Sequence, residues 1–285
     1  MTQDIDQYAV FGNPVEHSKS PQIHALFAKQ TDQNLHYVAK KIEAGQFSNA
    51  VRDFASNNGK GLNITIPFKQ EAWQLASNRS ARAERAGAVN TLKIDNGVYF
   101  GENTDGIGLV RDLVENHGIN LTEQRVLIIG AGGAVRGVIE PILEQNPKEL
   151  VIANRTVEKA QQLANDFSDI SDLQKKFTGK ISGCGLDDPV LNTTTFNIII
   201  NGTSASLHGE LPVLPKTLIS KNTCAYDMMY AASATPFMQW ASENNAKQVL
   251  DGLGMLVEQA AESFKIWRGV RPETKSVIDT IRASL

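Results

Sequence analysis

Hydrophobic residues in the centre of the chain form short unbroken runs, and helical spacing follows the first two of these runs. Two fully apolar runs have the length of strands, Val126–Ile129 and Leu150–Ala153. Two further segments are also strand candidates, Phe196–Ile200 and Cys224–Asp227. A helix is expected over Val157–Phe167, after the second run. Because strands buried on both faces are apolar throughout, this alternation predicts a parallel sheet covered by helices on both sides.

The N-terminal part of the chain also alternates apolar runs with helical patterns. Three segments there predict strands: Tyr8–Asn13, Leu35–Ile42 and Leu62–Ile66. Thr91–Ile94 and Val98–Phe100 are predicted to form a hairpin, because the Asn96-Gly97 dipeptide between them is a strong turn signal. A helix is predicted to open with Ser20 as its N-cap and a proline in its first position.

The C-terminal segment, Gly254–Leu285, has helical spacing, with Leu256, Ala260 and Phe264 on one face. It has no strand of its own to cover. We therefore expect it to pack on the N-terminal part of the chain, which would make that domain discontinuous.

Composition narrows the class of protein. Of the 285 residues, 41% are hydrophobic and 21% are charged, which is typical of globular proteins and excludes disorder. No apolar stretch approaches the length of a membrane-spanning helix, so no membrane association is expected. The net charge of −3 comes without a basic stripe, so no nucleic-acid partner is expected.

Cysteine and histidine usage bears on compartment and metal content. The two cysteines, Cys184 and Cys224, are expected to be reduced thiols of a cytoplasmic protein, since they cannot build a disulfide framework. The N-terminus has no apolar core of a signal peptide, which agrees with that location. The five histidines are scattered without ligand spacing, so no metal site is expected.

A glycine-rich turn, Gly130–Ala134, follows the first central strand. Such a turn lets the backbone approach a pyrophosphate, while the next helix N-terminus supplies N–H groups. Val135 departs from the usual spacing of small residues, and a tight turn without a ligand is the alternative.

The second central strand favours NADP over NAD. It ends in Asn154-Arg155-Thr156, with Lys159 one helical turn further on. Sites that prefer NAD place a carboxylate here, whereas two cations suit a 2′-phosphate. Solvated surface charges are the alternative.

Polar clusters elsewhere predict a site for a small molecule with several hydroxyls. Ser18 and Ser20 stand at a helix start, where hydroxyls and unpaired N–H groups can hold a carboxylate, although capping by Ser20 is an alternative. Asn63 and Thr65 alternate along one predicted strand and should share a face. Further polar groups end the neighbouring strands at Asn90-Thr91 and Glu102–Gly106.

Lys69 and Asp105 have the chemistry that a ketone reduction requires. Hydride addition builds negative charge on oxygen, so it needs a proton donor or a cation nearby. A lysine oriented by an aspartate can supply both. A surface salt bridge is the alternative.

The sequence resembles the shikimate dehydrogenase family almost from end to end. The motifs that carry the resemblance are His17–Pro21, Asn63–Lys69, Gly87–Thr91, Asn103–Gly106, Asn154–Thr156, Tyr226–Tyr230 and Asp251–Leu256. The resemblance implies an NADP-dependent oxidoreductase that reversibly reduces 3-dehydroshikimate to shikimate, in the biosynthesis of chorismate and aromatic amino acids.

The resemblance also implies roles for individual residues. Lys69 would be the catalytic acid and base, paired with Asp105. The substrate carboxylate would contact Ser18, Ser20 and Tyr230, and the hydroxyls and reacting centre would contact Asn63, Thr65, Asn90, Asp105 and Gln259. The pyrophosphate would contact Gly130, Ala131, Gly132, Gly133 and Ala134, and the adenosine phosphate Asn154, Arg155, Thr156 and Lys159. Thr203, Met228 and Gly252 would lie along the nicotinamide half.

The implied fold is α/β with two domains. Residues 1–105 and 252–285 would form a discontinuous α/β substrate-binding domain with a mixed sheet. Residues 106–251 would form a Rossmann-like NADP-binding domain with a parallel sheet. The only implied partner is the small-molecule substrate, and the chain would be a monomer or homodimer.

Two departures and two alternatives accompany the resemblance. Lys159 often is arginine in the family, so the cation is kept but its planar fork is lost, and we expect NADP preference to survive in a softened form. The segment Ser80–Ala83 lacks a frequent acidic residue, which puts one cofactor contact in doubt.

A quinate/shikimate dehydrogenase with broader substrate or NAD use is the nearest alternative. A non-catalytic ligand-sensing relative is the remote one, since it should lose the lysine–aspartate pair.

Overall fold

The computed structural model describes residues 5–168, 170, 177–203, 205 and 209–285. The chain divides into two compact units. The first unit comprises Met1–Gly108 and Leu256–Ser284, and the second comprises Leu109–Met255 with the terminal Leu285. The C-terminal segment therefore groups with the N-terminal part of the chain.

The first unit contains a mixed sheet. Its strands are β1 (Asp6–Gly12), β2 (Leu35–Lys41), β3 (Gly59–Ile64), β4 (Asn78–Arg79), β5 (Thr91–Asp95) and β6 (Val98–Glu102). The strand order is β2-β1-β3-β5-β6-β4. β1 pairs in parallel with β2 and β3, whereas β5 is antiparallel to β3 and β6. The predicted hairpin is confirmed, and Asn96 and Gly97 both have positive φ, as its tight turn requires.

The second unit contains an all-parallel sheet. Its strands are β7 (Arg125–Ile129), β8 (Glu149–Asn154), β9 (Lys180–Gly185), β10 (Ile198–Asn201), β11 (Cys224–Asp227) and β12 (Gln248–Asp251). The strand order is β12-β11-β10-β7-β8-β9. Successive residues of β7 enter different apolar clusters, Val126 and Ile128 on one face and Leu127 and Ile129 on the other. This two-sided burial explains the unbroken apolar runs and confirms the predicted fold class, with one mixed and one parallel sheet.

Helices flank both sheets. They are α1 (Ser20–Gln30), α2 (Phe47–Ser56), α3 (Lys69–Leu75), α4 (Ala81–Ala86), α5 (Asp105–Arg111), α6 (Gly133–Leu143), α7 (Val157–Ser168), α8 (Pro189–Thr193), α9 (Pro236–Glu243), α10 (Leu253–Arg268) and α11 (Lys275–Arg282). α10 contributes Ala260 and Phe264 to the buried interior. The indole N–H of Trp267 donates to the Leu92 carbonyl at 2.9 Å, which ties α10 to β5.

Two local predictions were wrong. Ser20 is the first residue of α1 rather than its N-cap; Lys19 occupies the cap position, and its side chain makes no capping hydrogen bond. The strand predicted over Leu62–Ile66 ends at Ile64, although the Thr65 N–H still donates to the Phe11 carbonyl of β1 at 2.9 Å. Thr65 therefore lies just beyond the strand that carries Asn63. No helix in the described part of the chain is long and apolar enough to cross a membrane.

Candidate active site

Lys69 and Asp105 form a close ion pair in the first unit. Lys69 begins α3, directly after the turn that follows β3, and Asp105 begins α5. The Lys69 Nζ atom lies 2.6 Å from Asp105 Oδ2, and the two side chains are 23% and 9% exposed. These low exposed fractions argue against the alternative interpretation of the two residues as a solvated surface salt bridge.

Asn90 fixes the other carboxylate oxygen of Asp105. Its amide Nδ2 donates to Asp105 Oδ1 at 2.8 Å, and its Oδ1 accepts the Thr104 backbone N–H at 2.9 Å. The Asn103 side-chain oxygen accepts the Asp105 backbone N–H at 3.2 Å. Both oxygens of Asp105 are thus held in place, and the Lys69 ammonium keeps further N–H bonds for another acceptor.

Gln259 and Asn63 join the same buried network. The Asn90 amide nitrogen also lies 3.3 Å from Gln259 Oε1, and the Gln259 amide donates to the Leu256 carbonyl at 2.8 Å. Asn63 Nδ2 donates to the Ser263 hydroxyl at 3.0 Å. Sequence reasoning missed Ser263, although its spacing of four residues from Gln259 on α10 places both polar side chains on one helix face.

The two predicted carboxylate-binding serines are adjacent at the start of α1. The Ser20 backbone N–H donates to the Ser18 hydroxyl oxygen at 3.3 Å. Ser20 is buried and Ser18 is half-buried. Thr65, half-buried, lies in the turn between β3 and α3. Tyr230 lies in the second unit after β11, and burial, aided by the charge of Asp251, raises the pKa of its hydroxyl.

The glycine-rich turn of the second unit joins β7 to α6. Gly130 has a φ of 111°, a conformation that favours glycine, and its N–H donates to the Ala153 carbonyl at 2.8 Å. A Cβ at Gly132 or Gly133 would meet nothing within 4 Å, so the turn faces open space. No side chain caps α6. Its N-terminus therefore has the properties of an anion site.

Beyond β8, Arg155 and Lys159 are exposed. The Asn154 amide donates to the Thr156 carbonyl at 2.9 Å, which closes the turn that carries Arg155. Within the described residues, no hydrogen bond or ion pair engages either cation, whereas Arg136 nearby in sequence is paired with Asp166 at 2.6 Å. Two cations without a carboxylate partner suit a phosphate group.

The three residues predicted along the nicotinamide half follow the ends of neighbouring strands. The Thr203 hydroxyl donates to Asn201 Oδ1 at 2.8 Å, and the Asn201 amide donates to Asp227 Oδ1 at 3.0 Å. A Cβ at Gly252 would collide with the Met228 backbone carbonyl, so this position requires glycine. Asn201 and Asp227 were not predicted; their position as the last residues of β10 and β11 is the sequence signal.

The described residues contain no group of three or more histidine, cysteine or acidic side chains that could hold a metal ion. Both cysteines are buried thiols, and burial raises the pKa of Cys224 to about 12 and that of Cys184 to about 11. The lysine–aspartate pair and the glycine-rich turn are the groups whose geometry suggests chemistry. A parallel sheet with such a turn, together with a proton-donating pair, is typical of nicotinamide-dependent oxidoreductases.

Comparison with known proteins gives the family. The chain matches the substrate binding domain of shikimate dehydrogenase over residues 10–92, shikimate/quinate 5-dehydrogenase over residues 112–208, and the C-terminal domain of shikimate 5′-dehydrogenase over residues 252–282. A shikimate dehydrogenase (NADP(+)) from Colwellia psychrerythraea is 53% identical over 100% of both chains. One from Cellvibrio japonicus is 51% identical over 98% of both. The chain belongs to the shikimate dehydrogenase family.

Solved structures agree with this assignment. The crystal structure of an Ael1 enzyme from Pseudomonas putida has a TM-score of 0.88 and 47% identity, covering 96% of this chain and 97% of that one. Shikimate 5-dehydrogenase from Thermus thermophilus, in complex with NADP(H) and shikimate, has a TM-score of 0.85 and 28% identity, covering 99% of this chain and 100% of that one.

Proposed function

We propose that the chain is an NADP-dependent shikimate dehydrogenase, which reversibly reduces 3-dehydroshikimate to shikimate in the biosynthesis of chorismate and aromatic amino acids. The observation that carries the proposal is the enclosed Lys69–Asp105 pair, whose atoms lie 2.6 Å apart in a chain of this family. The names of relatives about half identical over the full chain support the substrate and the cofactor.

Lys69 is the catalytic acid in this proposal. NADPH supplies the hydride when it is bound. As the carbonyl carbon accepts that hydride, the Lys69 ammonium donates a proton to the carbonyl oxygen, which becomes the new hydroxyl. Lys69 is left as a neutral amine and regains a proton from water. Asp105 keeps the lysine oriented between turnovers, and in the reverse direction Lys69 takes the hydroxyl proton as a base.

The substrate side is assigned to this pair and to further polar residues. Ser18, Ser20 and Tyr230 would hold the carboxylate, because hydroxyls donate well to an anion. Asn63, Thr65, Asn90, Asp105 and Gln259 would contact the hydroxyls and the reacting centre. The buried hydrogen bonds among Asn90, Asp105 and Gln259 support this role, since they arrange donors and acceptors before substrate arrives.

The cofactor side is assigned to the second unit. Gly130–Ala134 would hold the pyrophosphate at the uncapped start of α6. Asn154–Thr156 and Lys159 would surround the 2′-phosphate, and this favours NADP over NAD. Thr203, Met228 and Gly252 would lie along the nicotinamide half.

We propose residues 1–105 and 252–285 as the substrate-binding domain and residues 106–251 as the NADP-binding domain. The separate mixed and parallel sheets support this division. The enzyme would work in the cytoplasm as a monomer or homodimer, with a small molecule as substrate. Neither nucleic acid nor membrane would be a partner.

A nicotinamide absorbance assay on purified protein tests the proposal by crossing shikimate and quinate with NADP and NAD. Fast turnover of shikimate with NADP alone is expected. Comparable rates with quinate or NAD would favour a broader shikimate/quinate dehydrogenase, which the family description of residues 112–208 also includes. No turnover in any combination would contradict an enzymatic function and leave a ligand-sensing one.

A further inference from the structure

His24 is a fully buried histidine that the proposed reaction does not use. Its ring, on α1, stacks on Tyr37 with centroids 4.2 Å apart. Three more aromatic rings contact it: Phe27, Phe264 and Trp267. Burial lowers the pKa of His24 to about 3, so the ring is neutral. Burial of a polar ring in an aromatic cluster costs free energy unless the ring is hydrogen-bonded.

That hydrogen bond goes to Asn63. The His24 Nε2 atom lies 3.1 Å from Asn63 Oδ1, and the Tyr37 hydroxyl donates to the same oxygen at 2.7 Å. On the other side of the amide, Asn63 Nδ2 lies 3.5 Å from the Asn90 backbone carbonyl and 3.0 Å from the Ser263 hydroxyl. A backbone carbonyl can only accept, so the amide nitrogen must face it and the oxygen must face His24.

The tautomer of His24 follows from this orientation. An amide oxygen only accepts hydrogen bonds, so His24 must carry its proton on Nε2. Its other ring nitrogen, Nδ1, has no hydrogen-bond partner among the described residues, in keeping with an unprotonated atom. His24 and Tyr37 therefore act as two fixed donors that hold the Asn63 amide in one of its two possible orientations.

The same donors connect to the proposed substrate site through Asn63. Asn63 Nδ2 lies 3.3 Å from the Thr91 hydroxyl, which donates to Asn90 Oδ1 at 3.0 Å. Asn90 in turn bonds Asp105. A continuous buried chain of hydrogen bonds thus joins His24 to the lysine–aspartate pair.

We propose that His24 and Tyr37 are positioning residues for the substrate, because they fix the orientation of the Asn63 amide. This role rests on the proposed function of the first unit. Neither side chain touches the substrate in this scheme. Without them, Asn63 could rotate its amide.

Kinetics of four variants test the proposal. His24→Phe and Tyr37→Phe keep the rings but remove the donors, and the KM for shikimate should rise about tenfold, as expected for one lost buried hydrogen bond. The KM for NADP should stay within about twofold. His24→Gln places an amide N–H near the lost Nε2 position and should restore most of the affinity. Phe27→Leu is the control, because it loosens the same aromatic cluster without touching Asn63.

Nitrogen-15 NMR of the wild-type protein provides a readout independent of turnover. The His24 ring should show the Nε2–H tautomer without titrating between pH 5 and pH 8, as its buried neutral state requires. The Asn63 side-chain amide signals should shift in His24→Phe and recover in His24→Gln.

Three results would overturn the proposal: an Nδ1–H tautomer, unchanged KM in both phenylalanine variants, or an equal KM rise in Phe27→Leu. Failure of the proposed function is distinguishable from these results. If the wild-type protein does not turn over shikimate, the proposed function fails and KM values cannot be compared. The tautomer of His24 then decides by itself whether His24 donates to Asn63.

Discussion

At the scale of single residues, the environment of Lys69 explains what it can do. Its ammonium group has three N–H bonds, and the Asp105 carboxylate accepts one of them at 2.6 Å. The remaining donors can meet a substrate oxygen on which charge develops. Asp105 is buried and accepts a hydrogen bond from Asn90, so its ion pair with Lys69 holds the lysine side chain in one position.

Lys69→Ala should therefore lower kcat by about 10²–10⁴-fold, the range for loss of a general acid. Substrate affinity should change much less, because other groups hold the carboxylate and hydroxyls. Steady-state kinetics with shikimate and NADP measure both effects. Lys60→Ala, at an exposed position on β3, is the matched control. A kcat like that of the wild type would contradict the role of Lys69.

Arg155 is expected to distinguish the two nicotinamide cofactors. In Arg155→Ala, the KM for NADP should rise at least about tenfold, because a charge-assisted bond to the 2′-phosphate is lost. The KM for NAD should hardly change, since NAD has no such phosphate. Lys148→Ala, exposed next to the opposite end of β8, controls for loss of surface charge. Equal effects on both cofactors would refute the assignment.

At the scale of elements, α10 is held to the mixed sheet by the Trp267 indole as well as by apolar packing. Trp267→Phe should lower the free energy of unfolding of the first unit by about 1–3 kcal/mol, because the buried Leu92 carbonyl loses its side-chain donor. Trp73→Phe is the matched control, since no described residue bonds the buried Trp73 Nε1. Urea denaturation should show a smaller loss for Trp73→Phe than for Trp267→Phe.

The elements also show what a sequence can reveal. β7 and β8 were predictable because burial on both faces leaves only apolar residues. β9 was missed because Gly183 lies against the backbone of α7 at Ala160, where a Cβ would collide, so packing is achieved by a small residue rather than a large one. β12, an edge strand, begins with the polar Gln248 and is only partly buried.

The candidate site divides in the same way. Lys69 and Asp105 could be named because a lysine and an aspartate in polar segments after predicted strands have recognisable chemistry. The hydroxyl of Ser263 could not, because its value depends on Asn63 and Thr91, which are distant in sequence and meet it only in the folded unit.

At the scale of the whole molecule, His24 makes stability depend on pH. Its pKa falls from 6.5 in the unfolded chain to about 3 on burial, so unfolding takes up a proton below pH 6.5. Its contribution to stability is complete above pH 6.5 and declines as the pH falls toward 3. Tyr37, stacked on His24, stays neutral in this range because burial raises its pKa.

The wild-type protein should accordingly lose about 2 kcal/mol more than His24→Gln between pH 7.5 and pH 5. Denaturant unfolding at both values, monitored by hydrogen exchange in β1 and β3, measures the difference. Parallel loss in both proteins would show that His24 does not titrate as its burial requires.

The discontinuity of the first unit has a consequence for synthesis. Its interior needs Phe264 and Trp267, which the ribosome adds only after Leu109–Met255 of the second unit have been made. We therefore expect a chain truncated after Met255 to contain a protected parallel sheet and an unprotected mixed one. The N-terminal segment leaves the ribosome first but completes its folding last. During this interval its exposed apolar residues depend on chaperones, or on the solubility of the unfolded segment, to avoid aggregation.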